Sequence, residues 1–257
     1  MKLKVVPPRT GILWVKLGIQ TFFKQPLALA GLFFMFMAVI SIASLVPLLG
    51  SALALALLPA ATLGFMAASQ EATKGKFPMP TILISAFRAG RDRMRAMLVL
   101  GALYALGFLL VMALSALFDG GQFAKLYLGG GTLSQELLQR GDFQVAAWVA
   151  TLLYLPLSLL FWHAPALVHW HGVSPVKALF FSVVACFRNL GALTVYGLLW
   201  LGVFMAVGLV VSIIGAVSGS PGLMGTLLVP VALTLAAMFF TSIYFTFNDS
   251  FEADAVN

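Results

Sequence analysis

Three histidines and a scatter of hydroxyl groups are the side chains here whose types can support chemistry. His163, His169 and His171 lie within Trp162-His163-Ala164-Pro165 and His169-Trp170-His171. Three imidazoles can hold zinc, copper or haem. Intervals of six residues and then two do not return to one face of a helix, and no cysteine or carboxylate stands nearby to complete a ligand set. Tryptophans beside these histidines suit anchoring at a membrane–water boundary. The hydroxyls Ser44, Tyr104, Thr151, Tyr154, Thr194, Tyr196 and Ser242 sit in apolar stretches, where serine and threonine ordinarily bond their own helix backbone. There are no paired carboxylates, no nucleophile with a plausible base and no metalloprotease motif. Gly129-Gly130-Gly131 lacks the Gly-Lys-Ser/Thr of a phosphate loop. Cys186 is the single cysteine, so no internal disulfide forms. The chain reads as non-enzymatic and calls for no cofactor. The histidine group supports one alternative, a metal- or haem-binding membrane subunit.

The elements that carry these groups follow from composition. Of 257 residues, 61% are hydrophobic and 9% charged, against about 25% charged in soluble domains. The net charge is +7, but too little polar surface remains for nucleic acid. The uncharged run between Lys24 and Glu71 holds 46 residues. As one helix it would extend roughly 70 Å, against a hydrocarbon core of about 30 Å, so it must fold back. Pro47 and Gly50 mark the turn. A second uncharged run, from Asn189 to Asn248, needs a hairpin too, and Gly215 to Gly222 supplies its turn. No run shows the dyad alternation of a barrel strand. The expected fold is an all-α integral membrane protein, a single domain over 1–257 with spans near 27–46, 50–69, 96–118, 143–168, 190–214 and 223–247. The first span is too long for a cleaved signal sequence and is expected to remain. With both ends in the cytoplasm, 13 of the 15 Lys and Arg fall in cytoplasmic segments and only Lys125 and Arg140 outside. No span carries an acid or a base, although proton- and ion-coupled carriers usually do.

The segment before each odd-numbered span repeats a pattern. Thr10 to Lys24, Thr81 to Arg95 and Val176 to Asn189 each contain an aromatic followed by a base: Phe23-Lys24, Phe87-Arg88 and Phe187-Arg188. They read as interfacial elbow helices, the third opened by Ser174-Pro175. The fold would then be three elbow-plus-hairpin repeats. Lys16, Lys24, Arg88, Arg91, Arg95 and Arg188 are the expected contacts to anionic headgroups. Small residues recur every fourth position in span 2 (Ala52, Ala56, Ala60, Gly64) and in span 5 (Gly208, Ser212). Such rows allow close helix approach within the chain, in a homo-oligomer or with a partner complex. In the outer loop, 119–142, Thr132 and Gln135 fit a capping box for a short helix ending at Arg140.

The stretches Pro7-Pro8-Arg9 through Phe22-Phe23-Lys24-Gln25-Pro26, Ala164-Pro165-Ala166-Leu167, Ser174-Pro175 with Ala178-Leu179, and Cys186-Phe187-Arg188-Asn189 resemble an uncharacterised family of bacterial inner-membrane proteins. That family is related to YciC-like proteins and to the membrane domain attached to some glycerophosphodiester phosphodiesterases. The resemblance implies a multi-pass protein of the inner membrane and carries over no catalytic residue. The expected role is a non-enzymatic accessory or scaffolding protein in contact with membrane lipid. The alternative is a carrier or channel for a neutral or lipidic solute, which requires a polar cavity reaching the middle of the bilayer.

Overall fold

Pro7 and Pro8 have no N–H to place in a helix, but their carbonyls accept from Thr10 and Gly11 at 2.9 and 3.0 Å and start the first turn of α1, Thr10–Lys24. Lys24 closes that helix at its negative end. The computed structural model describes residues 2–46, 49–129, 131–218 and 221–252. Pro47, Gly130 and part of the turn expected over 215–222 therefore lie outside the described residues. After α1 come α2 (Pro26–Ser44), α3 (Gly50–Thr73), a 3-10 turn at Pro80–Ile84, α4 (Ser85–Arg88), α5 (Arg91–Asp119), α6 (Gln122–Gly129), α7 (Gln135–Gln139), α8 (Gly141–Phe161), α9 (Ala164–His171), α10 (Pro175–Arg188), α11 (Leu190–Val217) and α12 (Pro221–Ser250). Short strands β1 (Lys2–Leu3) and β2 (Phe251–Glu252) flank the series.

Among the described residues, six helical stretches are long and apolar enough to cross a membrane: α2, α3, α5, α8 with α9, α11 and α12. They match the six expected spans, most of them extended by a turn or so at one end. Other expectations are corrected. The second elbow is not one helix from Thr81 to Arg95. Gly90, at φ +99°, breaks it, and Arg91 and Arg95 belong to the first turns of α5. Span 4 is interrupted between Phe161 and Ala164. In the outer loop the cap is Ser134, whose Oγ accepts from the Leu137 N–H at 3.1 Å, two residues after the predicted Thr132 cap, and the helix begins at Gln135.

The chain forms two compact units. The first comprises Met1–Met37, Ala61–Ala86 and Val184–Asn257. In it α1 lies against α11 and α12. Gly11, Trp14, Val15, Gly18, Thr21 and Phe22, at successive intervals of three or one, are the buried face of α1. A Cβ on Gly11 would overlap the Ala192 carbonyl, and one on Gly18 would overlap the Ser242 side chain. Trp14 is fully buried, and its indole N–H donates to Asp249 Oδ2 at 2.8 Å. Ser242 Oγ lies 2.7 Å from the Tyr196 hydroxyl and accepts from Trp200 Nε1 at 3.2 Å. Phe33, Phe36, Phe65 and Phe240 form an aromatic cluster in the same unit. β1 pairs antiparallel with β2, Lys2 opposite Glu252. Beside this pair, buried Asn189 accepts from the Val6 N–H at 2.9 Å and donates to the Lys4 carbonyl at 3.0 Å and to Ser250 Oγ at 3.3 Å.

The second unit comprises Ala38–Ala60 and Phe87–Val183. Here α5 is the central helix, against α6, α8 and α9. A Cβ on Gly101 would overlap the Ala56 carbonyl, so α5 meets the first half of α3 backbone to backbone. The interruption in span 4 has a specific partner. Ser182 Oγ donates to the Leu159 carbonyl at 2.7 Å and accepts from the His163 N–H at 2.9 Å. One hydroxyl thus bridges two backbone groups at the break, with Pro165 just beyond it. Ser182→Ala is expected to lower stability by about 1–3 kcal/mol, because buried polar groups in lipid have no water to turn to. Thermal unfolding in detergent checks it, and Ser182→Thr, which keeps the hydroxyl, should recover most of the loss.

Candidate functional site

The residues singled out by sequence fall into three settings. The basic side chains Lys16, Lys24, Arg88, Arg91, Arg95 and Arg188 are all exposed, and none of them forms an ion pair among the described residues. α1 directs its buried face at the protein and leaves Ile12, Leu13, Lys16, Phe23 and Lys24 outward. α10 leaves Phe180, Phe187 and Arg188 outward in the same manner. The first and third elbows therefore present apolar rings beside cations, whereas Phe87 of the second is half-buried.

The small-residue rows meet different surroundings. Ala60 and Gly64 are buried, and a Cβ on Gly64 would press on the Leu83 backbone. Ala56 lends its carbonyl to the contact with Gly101, and Ala52 is half-buried one turn earlier. Gly208 has open space beside it, and the exposed Ser212 donates back to the Gly208 carbonyl at 2.9 Å.

The histidines do not converge. His163 is buried at the interruption of span 4, whereas His169 and His171 ride on α9 two positions apart, about 200° around the helix. Among the described residues no group of three His, Cys, Asp or Glu side chains is placed to hold a metal ion.

A concavity lies inside the second unit; Ser44, Tyr104, Thr151 and Tyr154, hydroxyls singled out in the sequence, line it, although spacing alone did not show that they converge. It is a half-open cavity of about 480 Å³ between the end of α2, the start of α3, α5, α6 and α8. Every residue lining it is uncharged. Five aromatic rings contribute: Tyr104 and Phe108 from α5, Phe123 and Tyr127 from α6, and Tyr154 from α8. Phe108 packs edge-on to Tyr154 at 6.0 Å and meets Tyr127 at 6.1 Å, while Phe123 meets Tyr127 at 5.6 Å. The Tyr104 and Tyr154 hydroxyls are 3.3 Å apart. Ser44 and Thr151 also line the cavity, but their hydroxyls are committed to their own helices, donating to the Ile40 and Ala147 carbonyls at 2.8 Å each.

Local sequence explains how α6 reaches this cavity. Gly120 and Gly121, both at positive φ, end α5 and turn the chain. Buried Asp119 then accepts from the Gly121 N–H at 2.8 Å and the Phe123 N–H at 2.6 Å, capping α6. The signal for this helix is the Asp-Gly-Gly sequence followed by Phe123 and Tyr127, four residues apart on one face.

No protein-family model matches the chain, and no solved structure matches it. A relative from Burkholderia thailandensis, described as a probable inner membrane protein, is 41% identical over 254 residues, which cover 98% of this chain and 94% of the relative. Identity of that extent agrees with the six membrane-length helices found here. The chain belongs to the family of bacterial inner-membrane proteins that includes this Burkholderia protein, and it is a multi-pass protein of that membrane.

Proposed function

We propose that the protein is a non-enzymatic accessory protein of the inner membrane that gathers anionic lipid along its cytoplasmic face, with both chain ends on that side. The observation that supports this reading is the exposure of six basic side chains that form no ion pair among the described residues, on segments that also expose Phe23 and Phe187. Lys16 and Lys24 precede the first span, Arg88, Arg91 and Arg95 flank the start of the third, and Arg188 precedes the fifth. Successive crossings bring these three segments to the same side of a bilayer. Arg91 and Arg95, with Arg93, sit at the positive end of α5, where a cation is unfavourable to the helix itself. Anionic headgroups offset that repulsion. Kinship with YciC-like proteins and with the membrane domain of some phosphodiesterases is part of the same reading, and it brings no catalytic residue.

The test replaces Arg88, Arg91, Arg93 and Arg95 together with glutamine. Each base near an anionic surface is worth about 1 kcal/mol, or roughly fivefold in affinity. Anionic lipid retained after gentle purification, counted by native mass spectrometry, should fall several-fold, or reporter fusions should reveal disturbed topology. Unchanged lipid content together with unchanged topology overturns the proposal.

A second reading, a carrier for a neutral or lipidic solute, is favoured by one observation, the uncharged cavity of the second unit.

A further inference from the structure

The chemistry of the cavity is more specific than its volume. About 480 Å³ lies within the ~300–1,000 Å³ of small-molecule sites. Its floor lies deep. Tyr154 is twelve residues along α8 from Asp142, and Tyr104 fifteen residues along α5 from Asp119. At 1.5 Å per residue these hydroxyls sit about 18–22 Å from the end bearing the 119–142 loop, near the middle of a hydrocarbon core of about 30 Å.

At that depth no charged or zwitterionic headgroup is admissible without a partner charge, and the lining offers none. A plain acyl chain would leave the hydroxyl pair unused. Two hydroxyls carry two protons, and the bond between them uses one. The other O–H remains to be donated to an uncharged oxygen acceptor. The rings of Phe108, Phe123 and Tyr127 line the same cavity as the two tyrosines, in stacked, edge and tilted contacts that suit a planar group.

We infer that this cavity binds the ring of a quinone-type isoprenoid lipid, one ring carbonyl accepting from the Tyr104–Tyr154 pair. Phe108, Tyr127 and Tyr154 pack on the ring, and the first isoprene units lie against Leu55 and Leu58 of α3. The site holds a lipid and involves no electron transfer. It is independent of the anionic-lipid reading, since it uses none of the basic residues.

The experiment uses the full chain in nanodiscs of phosphatidylethanolamine and phosphatidylglycerol, with a photoreactive ubiquinone analogue as probe and decylubiquinone as competitor. Labelling should saturate, map to α5, α6 and α8, and be displaced by decylubiquinone. A diazirine-bearing phosphatidylcholine should label the same peptides without saturation. Tyr104→Phe with Tyr154→Phe should weaken the quinone midpoint about three- to tenfold, the effect of one neutral hydrogen bond. Thr151→Trp places a large ring in the cavity from an exposed position and should abolish the saturable component. Wild-type labelling that does not saturate, that resists decylubiquinone, or that is displaced better by the acyl lipid overturns the inference. So does saturable labelling left intact in both variants when their melting profiles match wild type. The wild-type measurement decides the matter alone if either variant fails to fold. Because anionic-lipid retention is counted separately, failure here leaves that reading standing, and the reverse holds too.

Discussion

Replacing Gly18 with valine is expected to part α1 from α12 and to cut accumulation of the folded protein in the membrane severely. The backbone of α1 comes so close to Ser242 at this point that even a methyl group would overlap its Cβ. Neither neighbour is the tip of a flexible chain, so the helices must separate to make room. Overpacking of a tight interface costs about 1–3 kcal/mol and more where backbone has to move. Separation would also loosen Trp14, which is fully buried and bonded to Asp249, and the Tyr196–Trp200–Ser242 cluster beside it. A total of about 4 kcal/mol or more is a large share of the stability of an ordinary domain. Fluorescence-detected gel filtration of the solubilised protein reads the outcome. Gly18→Ala should fall between valine and wild type. Gly31→Ala, at a glycine of α2 with open space around it, should be neutral or slightly stabilising, since alanine is the better helix former. Equal behaviour of Gly18→Val and Gly31→Ala would show that the close approach does not hold the unit together.

Asn189→Ala is the second large effect expected. This residue is the junction between α10 and α11, and its side chain makes three hydrogen bonds that tie the N-terminal arm to the end of α12. Truncation strands the Val6 N–H and the Lys4 carbonyl as well as Ser250. Net loss of about 1 kcal/mol for each of the three bonds sums to about 3 kcal/mol, and buried groups left unsatisfied add to it. The arm should then peel from β2, so that trypsin cuts after Lys4 or Arg9 many times faster than in wild type. Asn189→Asp keeps the acceptor for Val6 and loses the donor, and its cleavage rate should be intermediate. An arm that remains protected in Asn189→Ala would mean that the β1–β2 pairing suffices without the junction.

Much of the fold was legible because lipid leaves the backbone few choices. Uncharged runs longer than the bilayer had to be helical hairpins, and the helices α2, α3, α5, α11 and α12 begin or end within a few residues of where charge and proline placed them. What escaped was set by partners distant in sequence. The break in span 4 depends on Ser182 of another helix, and no periodicity reports that. Thr132 and Ser134 offer equivalent caps to the short outer helix, and only local geometry selects Ser134. The second elbow looked continuous because Gly90 lies within a plausible amphipathic row, whereas its positive φ ends the helix. The site was less legible still. Tyr104 and Tyr154 are isolated hydroxyls in the sequence, fifty residues apart, and their meaning comes only from the pairing of α5 with α8. Ala56 and Gly64 were recognisable as places of close approach, but whether a row faces its own chain or another depends on packing that spacing does not encode.

The closure of α1 onto α11 and α12 also dictates an order of assembly. Trp14 leaves the ribosome early, yet its partner Asp249 follows 235 residues later. At roughly 5–20 residues per second, that is a delay of about 10–50 s. Until α11 emerges the docking face of α1, with its tryptophan and bare glycines, has no helix to receive it, and the site is complete only when α12 follows. The unit containing α5 and α8 needs no such delay, since both of these helices are made well before the last span. Maturation should therefore proceed from the middle of the chain outward, α1 settling late although it is made before the helices that receive it.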